Sequence, residues 1–133
     1  SLATWLGSQV STGDTTVFSG APVTLSLTPP SGADQTVLVV RNDAGIEAAR
    51  LNLDPKARTV VWAGENDLGG PPPAGSYRFS LEAVADGKAL ETTTASPFIE
   101  VVEARMVNEQ PQLSLSNGET ISIENVTAVR KDT

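Results

Sequence analysis

The groups able to do chemistry in this chain of 133 residues are carboxylates, three lysines, one tyrosine and hydroxyls, because it contains neither histidine nor cysteine. Those two absences exclude a Ser-His-Asp triad, a cysteine nucleophile, a thiolate or imidazole zinc site and any disulfide. A metal would have to be held by oxygens. The stretch Glu65-Asn66-Asp67-Leu68-Gly69-Gly70 gathers such oxygens in front of glycines. A calcium loop, however, needs ligands at alternate positions and a bidentate glutamate at the twelfth. Here the acids are adjacent and no such glutamate follows, so the stretch reads as consecutive turns. Glu100 and Glu103 are a candidate carboxylate pair, but three residues apart on a strand they are expected to face opposite sides. No serine sits in a Gly-x-Ser-x-Gly elbow, and Gly69-Gly70 runs into three prolines instead of a helix that could cradle phosphate. Lys56, Lys88 and Lys131 lie beside turns or the terminus, where lysines are solvated. Catalytic, cofactor-binding and metal-ligating residues are therefore expected to be absent, and no partner-binding residue is assigned.

Two aromatic features remain. Trp62 and Tyr77 flank a long loop; exposed, they would make a sugar or partner platform, and buried, they would pack between sheets with the tyrosine hydroxyl bonded back to the chain. Trp62 ends an apolar run and Tyr77 begins an alternation, which favours the core. Trp5-Leu6 lies in a segment with little alternation and is expected to be a contact surface.

Composition narrows the partners. Nine Lys+Arg against sixteen Asp+Glu leave a net charge of −7. Arg41, Lys56, Arg58, Arg78 and Arg130 form no basic run, so nucleic acid is not an expected partner. With 39% hydrophobic and 19% charged residues the chain is globular. Its longest apolar runs, such as Val37-Leu38-Val39-Val40, fall far short of the about 20 residues of a membrane helix. The first ten residues lack the basic start and apolar stretch of a cleavable signal, and there is no initiator methionine. A fragment or processed product is expected on that ground.

The elements that must position these groups read as strands. Val and Thr, fourteen of each, are β-branched, while Gly and Pro punctuate the chain. No stretch holds a helical period over three turns. Strands are predicted at Val23 to Thr28, Gln35 to Arg41, Ile46 to Leu53, Thr59 to Trp62 and Tyr77 to Ala83, the last alternating most cleanly. Asn42-Asp43-Ala44-Gly45 and Asp86-Gly87 are turns, and Lys88 to Thr94 is predicted to pair back on Tyr77–Ala83. Residues 22–94 thus hold about seven strands, the count of a small immunoglobulin-like sandwich. A shift at Ala95-Ser96-Pro97 precedes strands at Phe98 to Val107, Leu113 to Leu115, Thr120 to Ile123 and Val126 to Val129. These few strands cannot bury two faces alone, and Gly7 to Phe18 is the stretch left to join them.

Trp62-Ala63-Gly64, Gly69 and Pro73-Ala74-Gly75-Ser76-Tyr77-Arg78-Phe79, with Asn42 to Gly45 upstream, resemble the Ig-like region of the bacterial flagellar hook-capping (hook assembly scaffold) family. That family carries Asp where this chain has Ala63, and Ser1 to Val10, Ile99 to Val107 and Gly118 to Val129 are similar to its opening and closing segments. The resemblance implies an all-β fold, a fibronectin type III/Ig-like sandwich at 21–95 inserted into a small Tudor-like β-barrel built from 1–20 and 96–133. It implies a non-enzymatic cap at the distal, extracellular end of the growing hook, with no cofactor. Its partners would be hook subunits and, in the full-length cap, further copies of itself, commonly five, with no nucleic acid and no membrane insertion. It further implies export through the flagellar type III channel, and a missing N-terminal segment without which the fragment would associate weakly or stay monomeric. The competing readings are a non-catalytic sandwich that binds carbohydrate or adheres to surfaces, which needs Trp62 or Tyr77 exposed, and a carboxylate enzyme.

Overall fold

In the computed structural model, which describes residues 1–131, the chain forms twelve strands and two short 3-10 turns, Leu2–Trp5 and Ile123–Asn125. The strands are β1 (Ser8–Ser11), β2 (Thr15–Phe18), β3 (Val23–Leu27), β4 (Gln35–Arg41), β5 (Glu47–Leu53), β6 (Thr59–Trp62), β7 (Gly75–Ala85), β8 (Lys88–Ala89), β9 (Thr93–Val107), β10 (Gln110–Leu115), β11 (Thr120–Ser122) and β12 (Ala128–Lys131). Every predicted strand from Val23 to Ala83 is present, Gln35–Arg41 and Thr59–Trp62 with the predicted limits.

Two sheets pack face to face. In the first, β4 is central between β5 and β7. The far edge of β7 is shared by β2, the start of β9 and β8. In the second, β3 lies between β6 and residues 95–98 of β9. Alternation decides which side chains meet: Val23, Leu25 and Leu27 from β3 face Tyr77, Phe79 and Leu81 from β7 and Leu38 and Val40 from β4, all buried. The unbroken run in β4 reflects burial on its other face too. Val39 is fully buried there, with Arg50 and Ser80 as its cross-strand neighbours. Arg50 is held on that face by ion pairs to Glu47 and Glu82, which places its aliphatic stem to shield Val39 while its head stays half exposed.

A five-stranded sheet in the order β12-β1-β9-β10-β11 makes up the second unit, called the barrel below, although its end strands β11 and β12 are not paired with each other among the described residues. The terminal stretches do meet: Ser8–Ser11 pairs with Ala128–Lys131, and Val10 also lies opposite Ile99. Val10, Val101, Leu113 and Leu115 are its buried core, flanked by Trp5, Ile121, Ile123 and Val126.

The structure departs most from the sequence expectation at three places, and the last two strands are displaced as well, to Thr120–Ser122 and Ala128–Lys131. Thr15–Phe18 does not continue into the barrel; β2 pairs with β7, and Phe18 lies in the sandwich core. Lys88 to Thr94 is not one strand, because only Lys88–Ala89 and then Thr93–Thr94 pair with β7, on either side of an unpaired link. Ala95-Ser96-Pro97 is not a break. Strand β9 runs through it for fifteen residues, about 50 Å at the usual rise. Over residues 95–98 it has a paired neighbour on one side only, β3, and at such an edge a proline nitrogen costs no ladder bond. One strand therefore belongs in turn to both sandwich sheets and to the barrel.

Candidate functional site

The acidic loop engages its side-chain oxygens with backbone amides of the loop, of Ala63 before it and of Arg50 on β5. Asn66 Oδ1 accepts from the Leu68 amide at 3.4 Å, and Asn66 Nδ2 donates to the carbonyls of Gly69 and Gly70 at 3.2 and 3.0 Å. Glu65 Oε1 accepts from the Ala63 amide at 2.8 Å, and Asp67 Oδ2 accepts from the Arg50 amide at 3.2 Å. These bonds hold consecutive turns, and the three side chains do not converge on one point. Among the described residues no group of three or more acidic side chains could hold a metal ion.

Glu100 and Glu103 share a face, contrary to the expectation from their spacing. The register between β9 and β10 shifts so that Ser114 opposes Glu103 while Leu115 opposes Val101. This bulge lets Val101 and Ala104 both point into the barrel core, which turns Glu100 and Glu103 both outward. They remain surface groups, and Glu103 is bonded to Arg105 at 2.5 Å with both side chains more than half exposed. Five shallow surface clefts, of 160 to 420 Å³, each contain at most one carboxylate.

Trp62 is fully buried and Tyr77 nearly so, which removes the exposed aromatic platform that a sugar-binding module would need. Phe18, Trp62, Tyr77 and Phe79 form one cluster: Trp62 lies 4.8 Å from Phe18, 5.0 Å from Tyr77 and 5.6 Å from Phe79, all tilted or edge-on. Their polar atoms are satisfied by the loop between them. Trp62 Nε1 donates to the Glu65 carbonyl at 3.0 Å, and the Tyr77 hydroxyl donates to the Pro73 carbonyl at 2.6 Å. Burial pushes the Tyr77 phenol above its ordinary pKa. Gly64 completes the arrangement at φ +95°, where a Cβ would sit 3.1 Å from Phe18 Cζ and 3.4 Å from Pro72 Cγ. The Trp62-Ala63-Gly64 and Pro73-to-Phe79 motifs thus serve to clamp one loop on the aromatic core.

A polar seam joins barrel and sandwich, and no spacing in the sequence signalled it, because its partners lie about a hundred residues apart. Glu119 Oε1 accepts from Thr16 Oγ1 at 2.9 Å, from the Val17 amide at 3.3 Å and from Asn117 Nδ2 at 2.8 Å. Asn117 Nδ2 also reaches the Val17 carbonyl at 3.2 Å, and Ser19 Oγ donates to the Asn117 carbonyl at 3.3 Å. The turn Ser116 to Gly118, read from sequence simply as a turn, therefore docks the β10–β11 hairpin on β2. Arg130 closes a second contact, its guanidinium 3.7 Å above the Phe98 ring.

What the surface does present is apolar contact. Leu6, Val102, Met106, Val107 and Val129 are exposed on the barrel strands and the turn before them, against Ile46, Val61 and Leu68 on the sandwich. Of the pair expected at a contact surface, Leu6 is half exposed while Trp5 packs on the barrel core.

The profile of the FlgD Ig-like domain family matches residues 10–87, more than half of the chain. Among solved structures, FlgD from Xanthomonas campestris is similar with a TM-score of 0.72 at 17% identity, covering 96% of each chain. FlgD from P. aeruginosa is similar with a TM-score of 0.62 at 22% identity, covering 95% of this chain and 98% of that one. Truncated FlgD from Helicobacter pylori follows at 0.51 and 15%, covering 96% and 95%. At these identities the likeness is one of fold. No curated protein matches the chain in sequence.

Proposed function

Because the chain belongs to the FlgD Ig-like domain family, we propose that it is a structural scaffold of the bacterial flagellar hook, working at the distal end of the growing hook where exported subunits polymerise. The observation that carries this reading is joint: the family profile matches the sandwich, and the whole chain shares its fold with the Xanthomonas campestris protein described as giving insights into "the Hook Capping Essential for Flagellar Assembly". The burial of the aromatic pair, which leaves no aromatic platform there for a sugar, agrees with work done by shape. On this reading the partners are hook subunits and other copies of the cap, the location is extracellular, and the route there is the type III channel. A chain free of cysteine suits that route, since it can refold outside without a redox step.

The chain divides, in this proposal, into a sandwich inserted between the two halves of a barrel. The two separate buried cores support that division, and the pairing of β2 with β7 counts Thr15–Phe18 with the sandwich. The net charge of −7 keeps unassembled copies soluble and favours partner faces of positive charge.

The test is genetic. Deleting the gene in its own bacterium should abolish hooks in electron micrographs, while basal bodies remain and a plasmid copy restores assembly. Hooks of normal length and number in the deletion strain would refute the reading.

A further inference from the structure

Arg41 on β4 and Arg78 on β7 stand directly opposite one another on the outer face of the first sheet. Like charges so placed destabilise a sheet unless something lies between them. Nothing in the chain does. Glu47, which stands opposite Arg41 on β5, and Glu82 are both engaged by Arg50, at 2.6 and 2.5 Å. Asp14 lies 3.9 Å from Arg78, beyond hydrogen-bonding reach, and among the described residues Arg41 has no carboxylate within 4 Å. In a chain with nine cations and sixteen acids, such a juxtaposition is not a product of charge abundance.

Arg41 and Arg78 both line an open recess of about 160 Å³, together with Asn42, Asp43 and Gly45 of the turn and with Thr15 and Ser76. Arg41 Nη1 donates to the Gly45 carbonyl and Arg78 Nε to the Thr15 hydroxyl, each at 3.5 Å, and the remaining guanidinium hydrogens have no hydrogen-bond partner among the described residues. Asn42 uses its Oδ1 to hold the Ala44 and Ile46 amides at 3.0 Å, which leaves its Nδ2 hydrogens without a partner among the described residues. Ser76 alternates with Tyr77 and so shares the outer face with Arg78. Two forked guanidinium groups around a gap suit a planar, two-oxygen anion, each able to donate paired hydrogen bonds. Asp43, on the rim, disfavours an anion of higher charge.

We propose that this recess is a binding site for a carboxylate carried by a partner protein, an aspartate or glutamate side chain seated between Arg41 and Arg78. The inference stands apart from the hook reading, since it needs only an acidic residue on the partner.

The test uses the chain labelled with ¹⁵N and follows the arginine Nε–Hε signals while sodium glutarate, inorganic phosphate or sodium chloride is added at matched ionic strength. Glutarate should shift Arg41 and Arg78 saturably and leave Arg50 unmoved. Arg41→Gln and Arg78→Gln should each weaken that binding about tenfold or more, the cost of losing one charged hydrogen-bonding partner, whereas Arg50→Gln should not. Arg41→Gln should also keep or raise the melting temperature, because it removes repulsion. Shifts no different from those in chloride, saturation by phosphate alone, or binding indifferent to both substitutions would each overturn the site. So would a fall in melting temperature for Arg41→Gln, which would make the pair structural.

Discussion

The sandwich and the barrel are unequal, and the inequality explains how they are joined. Thirteen buried side chains, among them four aromatics in mutual contact, fill the sandwich, whereas four aliphatic ones fill the barrel. A core of four cannot offset the ordering of its own strands, since small sheets need a larger partner surface. The barrel makes up the difference by sharing β9 with the sandwich and by the Glu119–Asn117 seam. It also carries five of the eight large apolar side chains left exposed among the described residues, so the smaller core goes with the more apolar surface. For a scaffold this is a workable division: one part is rigid by itself, and the other is held in place to make contacts.

The comparison breaks most easily at its strong side. Trp62→Ala should cost about 3–5 kcal/mol, enough to abolish cooperative thermal unfolding of the whole chain as followed by circular dichroism. A variant that melts like the parent would show that the aromatic cluster is not the keystone. Leu113→Ala, in the barrel, should cost about 2–4 kcal/mol but act locally. In a Trp5→Phe background, chemical denaturation followed by the fluorescence of Trp62 should move less than amide protection in β10. Equal losses by both probes would mean that the two cores unfold as one.

Much of this contrast was legible in the sequence and some of it was not. The alternation of Tyr77 to Ala83 and the apolar run of Gln35–Arg41 showed where the large core would form, because each strand carries its own burial pattern. The motif ending at Gly64 was legible only through its resemblance to the hook-capping family, and the structure gives its reason: a φ of +95° and Phe18 Cζ 3.1 Å from where a Cβ would sit. Continuity of β9 was hidden because Ala95-Ser96-Pro97 looks like a break, and only pairing with the distant β3 shows that Pro97 lies on an open edge. The seam and the opposed Arg41–Arg78 pair were hidden for the same reason. Each depends on a register between segments far apart in sequence, and a strand pattern does not set register by itself. Glu100 and Glu103 were misplaced because one bulge residue inverts alternation.

Smaller effects sharpen the contrast. Tyr77→Phe should cost about 1 kcal/mol, the worth of one buried hydrogen bond. Its pH dependence has a definite sign. The folded phenol titrates above the unfolded value of about 10, so its neutral form is favoured by folding. Stability is then full below pH about 10 and falls as pH rises toward the folded value. The parent should lose stability above pH 10 more steeply than the phenylalanine variant in alkaline urea titrations, and parallel curves would refute the assignment. Arg50→Gln should cost less than about 1 kcal/mol, because its two ion pairs are surface-exposed. That loss should shrink further in 1 M salt, and a salt-independent loss would point instead to its cover over Val39.

The central claim, that the barrel is held by the sandwich, is tested most directly by native-state hydrogen exchange on Glu119→Ala. The substitution strips an acceptor from Thr16, the Val17 amide and Asn117 at once, at about 1–3 kcal/mol. Amides in β1, β10 and β12 should exchange roughly five- to a hundredfold faster, on the order set by that cost, while those in β4 and β7 keep their protection. Unchanged protection in the barrel strands, or an equal loss in both units, would contradict the claim.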